Sequence, residues 1–138
     1  MQQVILQLTS KQQINGQSDV SRHNYEAKAV LKHDVWFITY KEQLEDQLEV
    51  NAVLKVGKQD FTLLRQGAVQ MKQSFQKGLS SSSRYVSPYG SYLMEVHTHH
   101  LRIKEENGQP QEISVGYQLW LNDQYTSDVE LHYSLKWT

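Results

Sequence analysis

One arginine of this chain falls on a face where apolar side chains are expected. Arg65 follows Phe61 and Leu63 at two-residue intervals in the run FTLLRQG, and residues two apart on a β-strand point to the same side. An arginine directed into an apolar interior needs a partner, because an unpaired buried charge is costly. Its planar guanidinium suits the carboxylate or phosphate of a ligand. The alternative is that Arg65 ends its strand near Gly67 and reaches solvent or a structural carboxylate.

Histidines form a second group of residues with metal-binding chemistry, in the run EVHTHH. His97 and His99 share one face of a strand at about 6–7 Å, and such a pair can bind a metal with ligands from a neighbouring strand. Tyr92, Met94 and Val96 define the apolar face of this strand, so the histidines point outward. No ligands on a second strand are evident. His97 and His99 are therefore the candidate ligands, but we predict no metal site.

The apolar side of the same strand changes after these histidines. Met94 and Val96 follow an even-numbered series, whereas Leu101 and Ile103 follow an odd-numbered one. One extra residue in a strand shifts every later side chain to the other face. We therefore predict a β-bulge within Thr98 to His100. On this interpretation the histidines lie at a bend of the strand and do not form a ligand set.

Large side chains on the apolar faces are numerous enough to line a pocket. They are Tyr25, Trp36, Tyr40, Phe61, Met71, Phe75, Tyr92, Met94, Tyr117, Tyr133 and Trp137. Residues of this kind suit the walls of a ligand site, and they equally suit a filled core. A barrel of about eight strands is wide enough for either, so both readings stay open. If a ligand binds, we predict that Arg65 anchors its acidic head and that Met71, Phe75, Tyr85 and Tyr117 form the walls.

The elements that position these side chains are β-strands. Apolar and polar residues alternate with period two from end to end, which predicts about nine or ten strands. The longest is predicted from Gly90 to Glu106, and Asn15-Gly16 and Asn107-Gly108 predict tight hairpin turns. A weak strand is predicted near Arg84 to Ser87, preceded by a loop at Ser80 to Ser83. The charged stretch from Tyr40 to Gln47 is predicted as a turn or strand ends.

Successive hairpins favour an up-and-down topology over Greek-key crossings. Strands of this length would leave long exposed edges in an open sheet, and closure removes them. The sequence therefore predicts a single all-β domain over residues 1–138, an antiparallel up-and-down β-barrel of about 8–10 strands.

Composition restricts the function. Lys plus Arg number 14 and Asp plus Glu 15, giving a net charge of −1 with no basic block, so nucleic-acid binding is disfavoured. There is no cysteine, which excludes disulfides and is compatible with a reducing cytosol. The first residues do not form a signal peptide, and no apolar run could span a membrane. We predict a cytoplasmic protein that does not insert into membranes.

No arrangement typical of an enzyme is evident. The sequence lacks a G-x-S-x-G elbow and a phosphate-binding loop. The acidic pairs Glu45-Asp46 and Glu105-Glu106 are adjacent, so on a strand their side chains would point to opposite faces. We predict no catalytic residues and no cofactor.

Several motifs resemble one family of small bacterial proteins. They are Arg65 to Phe75 (RQGAVQMKQSF), Arg84-Tyr85, Tyr89-Gly90, Met94 to Thr98, Ile113 to Tyr117 and Val129 to Tyr133. Together they resemble the YwiB-like family across most of the chain, and the resemblance is weakest before residue 45. The resemblance implies a calycin-like β-barrel, similar in outline to lipocalins and fatty-acid-binding proteins. It implies no activity and no catalytic residues.

The leading functional hypothesis is non-catalytic binding of a small, partly apolar, acidic-headed ligand inside the barrel. The alternative is a module whose outer surface or rim contacts a protein or RNA partner, which predicts an exposed apolar patch. The sequence does not fix the oligomeric state.

Overall fold

A computed structural model describes residues 1–138. Ten β-strands account for most of the chain: β1 Gln2–Ile14, β2 Gln17–Lys32, β3 Val35–Gln43, β4 Glu49–Val56, β5 Phe61–Gly67, β6 Met71–Phe75, β7 Ser80–Ser87, β8 Gly90–Glu106, β9 Gln109–Leu121 and β10 Gln124–Trp137. A short 3-10 turn, Glu45–Gln47, joins β3 to β4, as expected for the charged stretch there. The structure contains no helix with the length and apolar character needed to cross a membrane.

All ten strands belong to one antiparallel sheet that wraps into a barrel. Each strand pairs with its chain neighbours, except that β1 pairs with β10 and β6 and β7 are the two ends of the sheet. The β1–β10 ladder places Leu6 opposite Leu135, with both side chains buried in the core. The predicted all-β, up-and-down barrel is confirmed, because no strand crosses over another.

Tight turns account for the simple order of the strands. Asn107 and Gly108 have φ of 54° and 77°, and Asn15 and Gly16 have φ of 50° and 78°. Two successive residues at positive φ are the signature of type I′ hairpins, whose twist matches that of paired strands. Both predicted hairpin turns are therefore confirmed, and β8 has the predicted bounds.

One local prediction was wrong. Ser80 to Ser83 is not a loop: it forms the first half of β7 and pairs with β8 from His97 to Met94. Serine has a modest strand preference, so the pairing partner determines its conformation. Pro110 is the second residue of β9, beside an irregularity in the ladder at Glu105. Proline lacks a backbone N–H, and the start of a strand is one of the positions that tolerate it.

The predicted β-bulge in β8 is confirmed. Thr98 pairs with Tyr117 and His100 pairs with Gly116, so His99 has no partner across the ladder. The extra residue shifts the facing of the strand: Val96 and Thr98 are buried before the bulge, and Leu101 and Ile103 pack against the core after it.

Side chains rather than a backbone ladder close the gap between β6 and β7, which we call the seam. The backbone contributes one isolated bridge, between Gln70 and Val86. Gln73, only 1% exposed, donates to the hydroxyl of Ser81 and to the carbonyl of Ser74, and accepts from Ser83 at 2.9 Å. Its amide therefore links one backbone carbonyl of β6 to two hydroxyls of β7.

The two ends of the barrel differ. At the closed end, the rings of Trp36 and Trp137 meet edge to face at 4.9 Å. Their indole N–H groups donate to the carbonyls of Gly108 and Pro110, each at 2.8 Å. The tryptophans thus join two distant strands and cap a continuous apolar core. At the other end, which we call the open end, polar side chains interrupt that core.

Candidate functional site

A cavity of about 450 Å³ occupies the open end of the barrel. Thirteen of its 20 lining residues are hydrophobic, a composition typical of sites for small, partly apolar ligands. All five residues predicted as ligand contacts line it: Arg65, Met71, Phe75, Tyr85 and Tyr117. The structure therefore brings the predicted set to one place, and their binding of a ligand stays a prediction.

The floor of the cavity is aromatic. Phe75 stacks on Phe61 at 5.6 Å and meets Tyr117 at 5.0 Å, while the ring of Tyr133 stands edge-on to Phe61 at 5.5 Å. Phe61, Phe75 and Tyr133 are each at most 1% exposed. This aromatic layer separates the cavity from the part of the apolar core that lies toward Trp36.

The principal polar feature of the cavity is an ion pair between Arg65 on β5 and Glu42 on β3. Arg65 Nε donates to Glu42 Oε2 at 2.9 Å, and its Nη2 donates to Glu42 Oε1 at 3.2 Å. The side chains are only 18% and 15% exposed. Two parallel N–H···O bonds hold both groups in one geometry. The predicted inward position of Arg65 is confirmed, and its partner is a structural carboxylate.

The ion pair fixes the electrostatics of the cavity. Burial lowers the pKa of Arg65, but the Glu42 carboxylate more than offsets this, so the net shift is upward. Glu42 and Arg65 are the only residues lining the cavity that carry a formal charge at neutral pH, and their charges are opposite. The cavity is therefore close to neutral overall, while the guanidinium retains N–H donors that Glu42 does not use.

Tyrosine hydroxyls supply the remaining polarity. Burial raises the pKa of Tyr40, Tyr117 and Tyr133 well above its ordinary value, and the carboxylate of Glu42 adds to this at Tyr40 and Tyr133. The three phenols therefore stay protonated and neutral through physiological pH. They can donate hydrogen bonds to a ligand, but they do not act as bases there.

One buried hydroxyl of the wall has no partner within the protein. Ser127 is 1% exposed, and its Oγ makes no hydrogen bond with another residue. A buried polar group that lacks a partner costs stability. Ser127 follows a register shift in β10 and lines the cavity, which makes it a candidate contact for a polar atom of a ligand.

A lateral cleft leads to the cavity between β2 and β3. These strands pair only from Lys28–Thr39 to Lys32–Val35, and beyond that point the β1–β2 hairpin diverges from β3. The cleft measures about 870 Å³, and Leu8, Ser10, Tyr40 and Glu42 line both it and the interior cavity. Glu42 and its ion pair therefore stand where the cleft meets the interior.

The histidines lie outside this site. His97 bonds to Ser80 Oγ at 2.8 Å and faces Glu95 at 3.6 Å, on the outer surface. His99 and His100 lie side by side at the bulge. The group of potential ligand atoms at the bulge contains His99 and His100 but not His97.

Three functional candidates were missed in the sequence: Glu42, Gln73 and Ser127. Each has a signal that could have revealed it, since each shares its face with inward apolar neighbours. Glu42 continues the even series of Ile38 and Tyr40. The charged stretch from Tyr40 to Gln47 predicts a turn or strand ends, which assigns no face to Glu42, whereas β3 continues to Gln43.

Comparison with known proteins gives three findings. The profile of the family described as "Domain of unknown function (DUF1934)" matches residues 6–132. The "Uncharacterized beta-barrel protein YwiB" of Bacillus subtilis (strain 168) is 27% identical over 96 residues, which is 68% of this chain and 65% of that protein. The crystal structure of the ywiB protein from Bacillus subtilis superposes with a TM-score of 0.86 at 18% identity, covering 99% of this chain and 92% of that one. That likeness shows the β-barrel fold.

Proposed function

This chain belongs to the DUF1934 family, and we propose that it binds a small, partly apolar ligand in the open-end cavity without catalysing a reaction. The observation that carries the proposal is the 450 Å³ cavity with its apolar walls and one ion pair. The resemblance to calycin-like barrels in outline supports a ligand whose apolar body lies inside the barrel. A chain without cysteine suits a reducing compartment, so we propose a cytoplasmic setting.

The ion pair defines the head group of the ligand. The free N–H donors of Arg65 favour an acceptor, such as a carboxylate. Glu42 lies beside those donors and repels an anion, so the gain from a full negative charge is reduced. Because Glu42 leaves other N–H donors of the guanidinium free, we propose an acidic-headed ligand whose carboxylate accepts from those donors. Its chain contacts Met71, Phe75, Tyr85 and Tyr117.

The lateral cleft supports entry from the side. The rings of Tyr25 on β2 and Tyr40 on β3 lie 4.6 Å apart at the mouth of the cleft. The two strands form no ladder pairs at these residues. A ligand could pass between β2 and β3 without breaking a ladder bond. Its head would meet Arg65 and Glu42 on the way in.

Displacement of a fluorescent fatty acid tests the proposal. Met71→Trp adds bulk to the cavity wall, while Lys72→Trp adds the same side chain to the exposed face of the same strand. We expect the wild type and Lys72→Trp to bind the fluorescent fatty acid, and we expect decanoate to displace it from both. Met71→Trp should not bind the fluorescent fatty acid. The proposal fails if the wild type does not bind the probe, or if all three proteins bind it equally.

A second candidate is recognition of an extended peptide by β2. From Gln17 to Ala27 this strand pairs with β1 alone, so its other edge presents free backbone donors and acceptors to the cleft. Added strands bind to such edges. Isotope-edited spectra of a β2-labelled protein with a library of strand-forming peptides would show shifted amides from Gln17 to Ala27. Shifts restricted to the cavity residues would exclude this candidate.

A further inference from the structure

The β-bulge in β8 brings two imidazoles together on the outer surface. Neighbouring residues of a regular strand point to opposite faces, but the rings of His99 and His100 are 5.0 Å apart, edge to face. His99 is the residue without a partner in the ladder. The bulge therefore places two potential nitrogen ligands side by side on one face of the sheet.

Gly116 supplies the space that the two rings occupy. It lies on β9 opposite His100, and a Cβ there would overlap the ring of His100 and come within 2.7 Å of His99 Nε2. Any larger residue would force both imidazole rings to shift from these positions. Glycine inside a strand often marks a close approach of this kind.

A carboxylate completes the cluster from the third strand. Glu130 on β10 pairs with Gly116 across the ladder, so its side chain reaches over the glycine toward the histidines. Glu130 Oε1 lies 3.4 Å from His100 Nε2, and the ligand atoms of the three residues lie within 4.8 Å of one another. Tetrahedral ligands at about 2.0–2.1 Å from zinc are about 3.4 Å apart, so small side-chain rotations would complete the geometry.

The charges around the cluster favour a cation. A depression of about 250 Å³ beside it is lined by His99, Glu130, Asp128 and Lys11, among others. The two carboxylates outweigh the single ammonium when the imidazoles are neutral. His132 lies farther along β10 and faces Glu112 at 3.8 Å, so it is engaged elsewhere.

We propose that His99, His100 and Glu130 bind a divalent transition-metal cation of the Zn²⁺ class on the outer face of the barrel. Two imidazoles and one carboxylate form a mixed nitrogen and oxygen set that leaves a fourth position open to water. The site faces away from the cavity, so it stands whether or not a ligand binds inside.

Calorimetric titration of the untagged full-length chain with ZnCl₂ tests the site. We expect one Zn²⁺ per chain, and we expect His99→Ala, His100→Ala and Glu130→Gln each to weaken binding by at least about tenfold. His97→Ala is the matched control, because it removes an exposed imidazole from the same face of β8. Circular dichroism confirms that each variant is folded.

Imidazole nitrogen spectra give an independent measurement on the wild type. We expect Zn²⁺ to shift the ring nitrogens of His99 and His100, and to leave those of His23 and His97 in place. The proposal is overturned if millimolar Zn²⁺ produces neither a heat of binding nor a shift of the His99 and His100 ring nitrogens. It is also overturned if His97→Ala reduces the affinity for Zn²⁺ as much as His99→Ala does.

Discussion

Arg65 and Glu42 form a two-bonded ion pair inside the barrel, although they lie 23 positions apart in the chain. The pair lies at the boundary between the lateral cleft and the interior cavity. Its position makes it both a structural contact between β3 and β5 and the main polar feature available to a ligand. The first two predictions follow from these two roles.

Replacing one member of the pair should cost more stability than replacing both. Arg65→Leu leaves a largely buried carboxylate without a partner, and we expect a loss of about 3 kcal/mol in the free energy of unfolding. Arg65→Leu combined with Glu42→Leu should recover most of it, because no buried charge remains. Urea denaturation of the wild type, the two single variants Arg65→Leu and Glu42→Leu, and the double variant gives the double-mutant cycle. Additive losses would show that the two side chains do not interact.

Glu42→Gln should strengthen binding of an acidic ligand. The substitution removes the carboxylate that competes for Arg65 while keeping a side chain of the same shape, so an anionic head gains a free guanidinium. Decanoate and decanol have the same alkyl chain but differ in the charge of the head group. Titrations with the two compounds therefore separate the contribution of the charge to affinity from that of the chain. We expect the affinity for decanoate to rise and that for decanol to change little. Weaker decanoate binding by Glu42→Gln would contradict the assigned role of Arg65.

The buried tyrosines should make the barrel sensitive to alkali. Burial raises the pKa of Tyr40, Tyr117 and Tyr133 in the folded protein, so the unfolded chain loses these protons first, near its ordinary pKa of about 10. Stability is therefore retained below pH ~10 and falls above it, by about 1.4 kcal/mol per pH unit for each such group. Urea denaturation between pH ~8 and ~11.5 measures this slope.

Tyr117→Phe provides the control for the alkaline slope. It removes one buried phenol and should make the decline above pH ~10 shallower by the contribution of one group. An identical slope in the variant would show that Tyr117 ionises normally in the folded state.

The seam between β6 and β7 should depend on one amide. Gln73→Leu removes the buried amide that bonds to the hydroxyls of Ser81 and Ser83 and to the carbonyl of Ser74, and we expect a loss of about 1–3 kcal/mol. Amide hydrogen exchange should become faster in β6 and β7 than in β1 and β10. Gln76→Leu, an exposed position just beyond β6, serves as the control and should leave the exchange pattern unchanged.

The closed end should depend on its tryptophans. Trp36→Ala removes a buried ring that packs on Trp137, and a loss of about 3–5 kcal/mol is expected. Trp36→Phe keeps an aromatic ring but leaves the carbonyl of Gly108 without its donor, which should cost about 1 kcal/mol. Thermal unfolding ranks the two variants. Equal losses would mean that the hydrogen bond, rather than packing, dominates at this end.

Much of this fold could be predicted because alternation and turn residues are local signals. The Asn107-Gly108 hairpin and the change of parity around His99 could be read from a few neighbouring letters. The β7 strand could not, because Ser80 to Ser83 takes its conformation from pairing with β8. Propensity loses to tertiary context in such segments.

The candidate site was predictable only in part for a similar reason. Parity placed Arg65 inside, but its partner depended on how β3 and β5 align across β4. The cluster at His99 depended on three strands and on the missing side chain of Gly116. Contacts between residues far apart in the chain require the registers of the strands, which alternation alone does not specify.

The methyl groups of methionine offer the most direct test of ligand binding in the cavity. The chain has three methionines: Met71 and Met94 line the cavity, while Met1 is 88% exposed and serves as an internal reference. In a titration of ¹³C-methyl-methionine protein with decanoate, we predict saturable shifts of Met71 and Met94 with Met1 unchanged. Spectra that stay unchanged at saturating decanoate, or in which Met1 shifts alone, would contradict ligand binding inside the barrel.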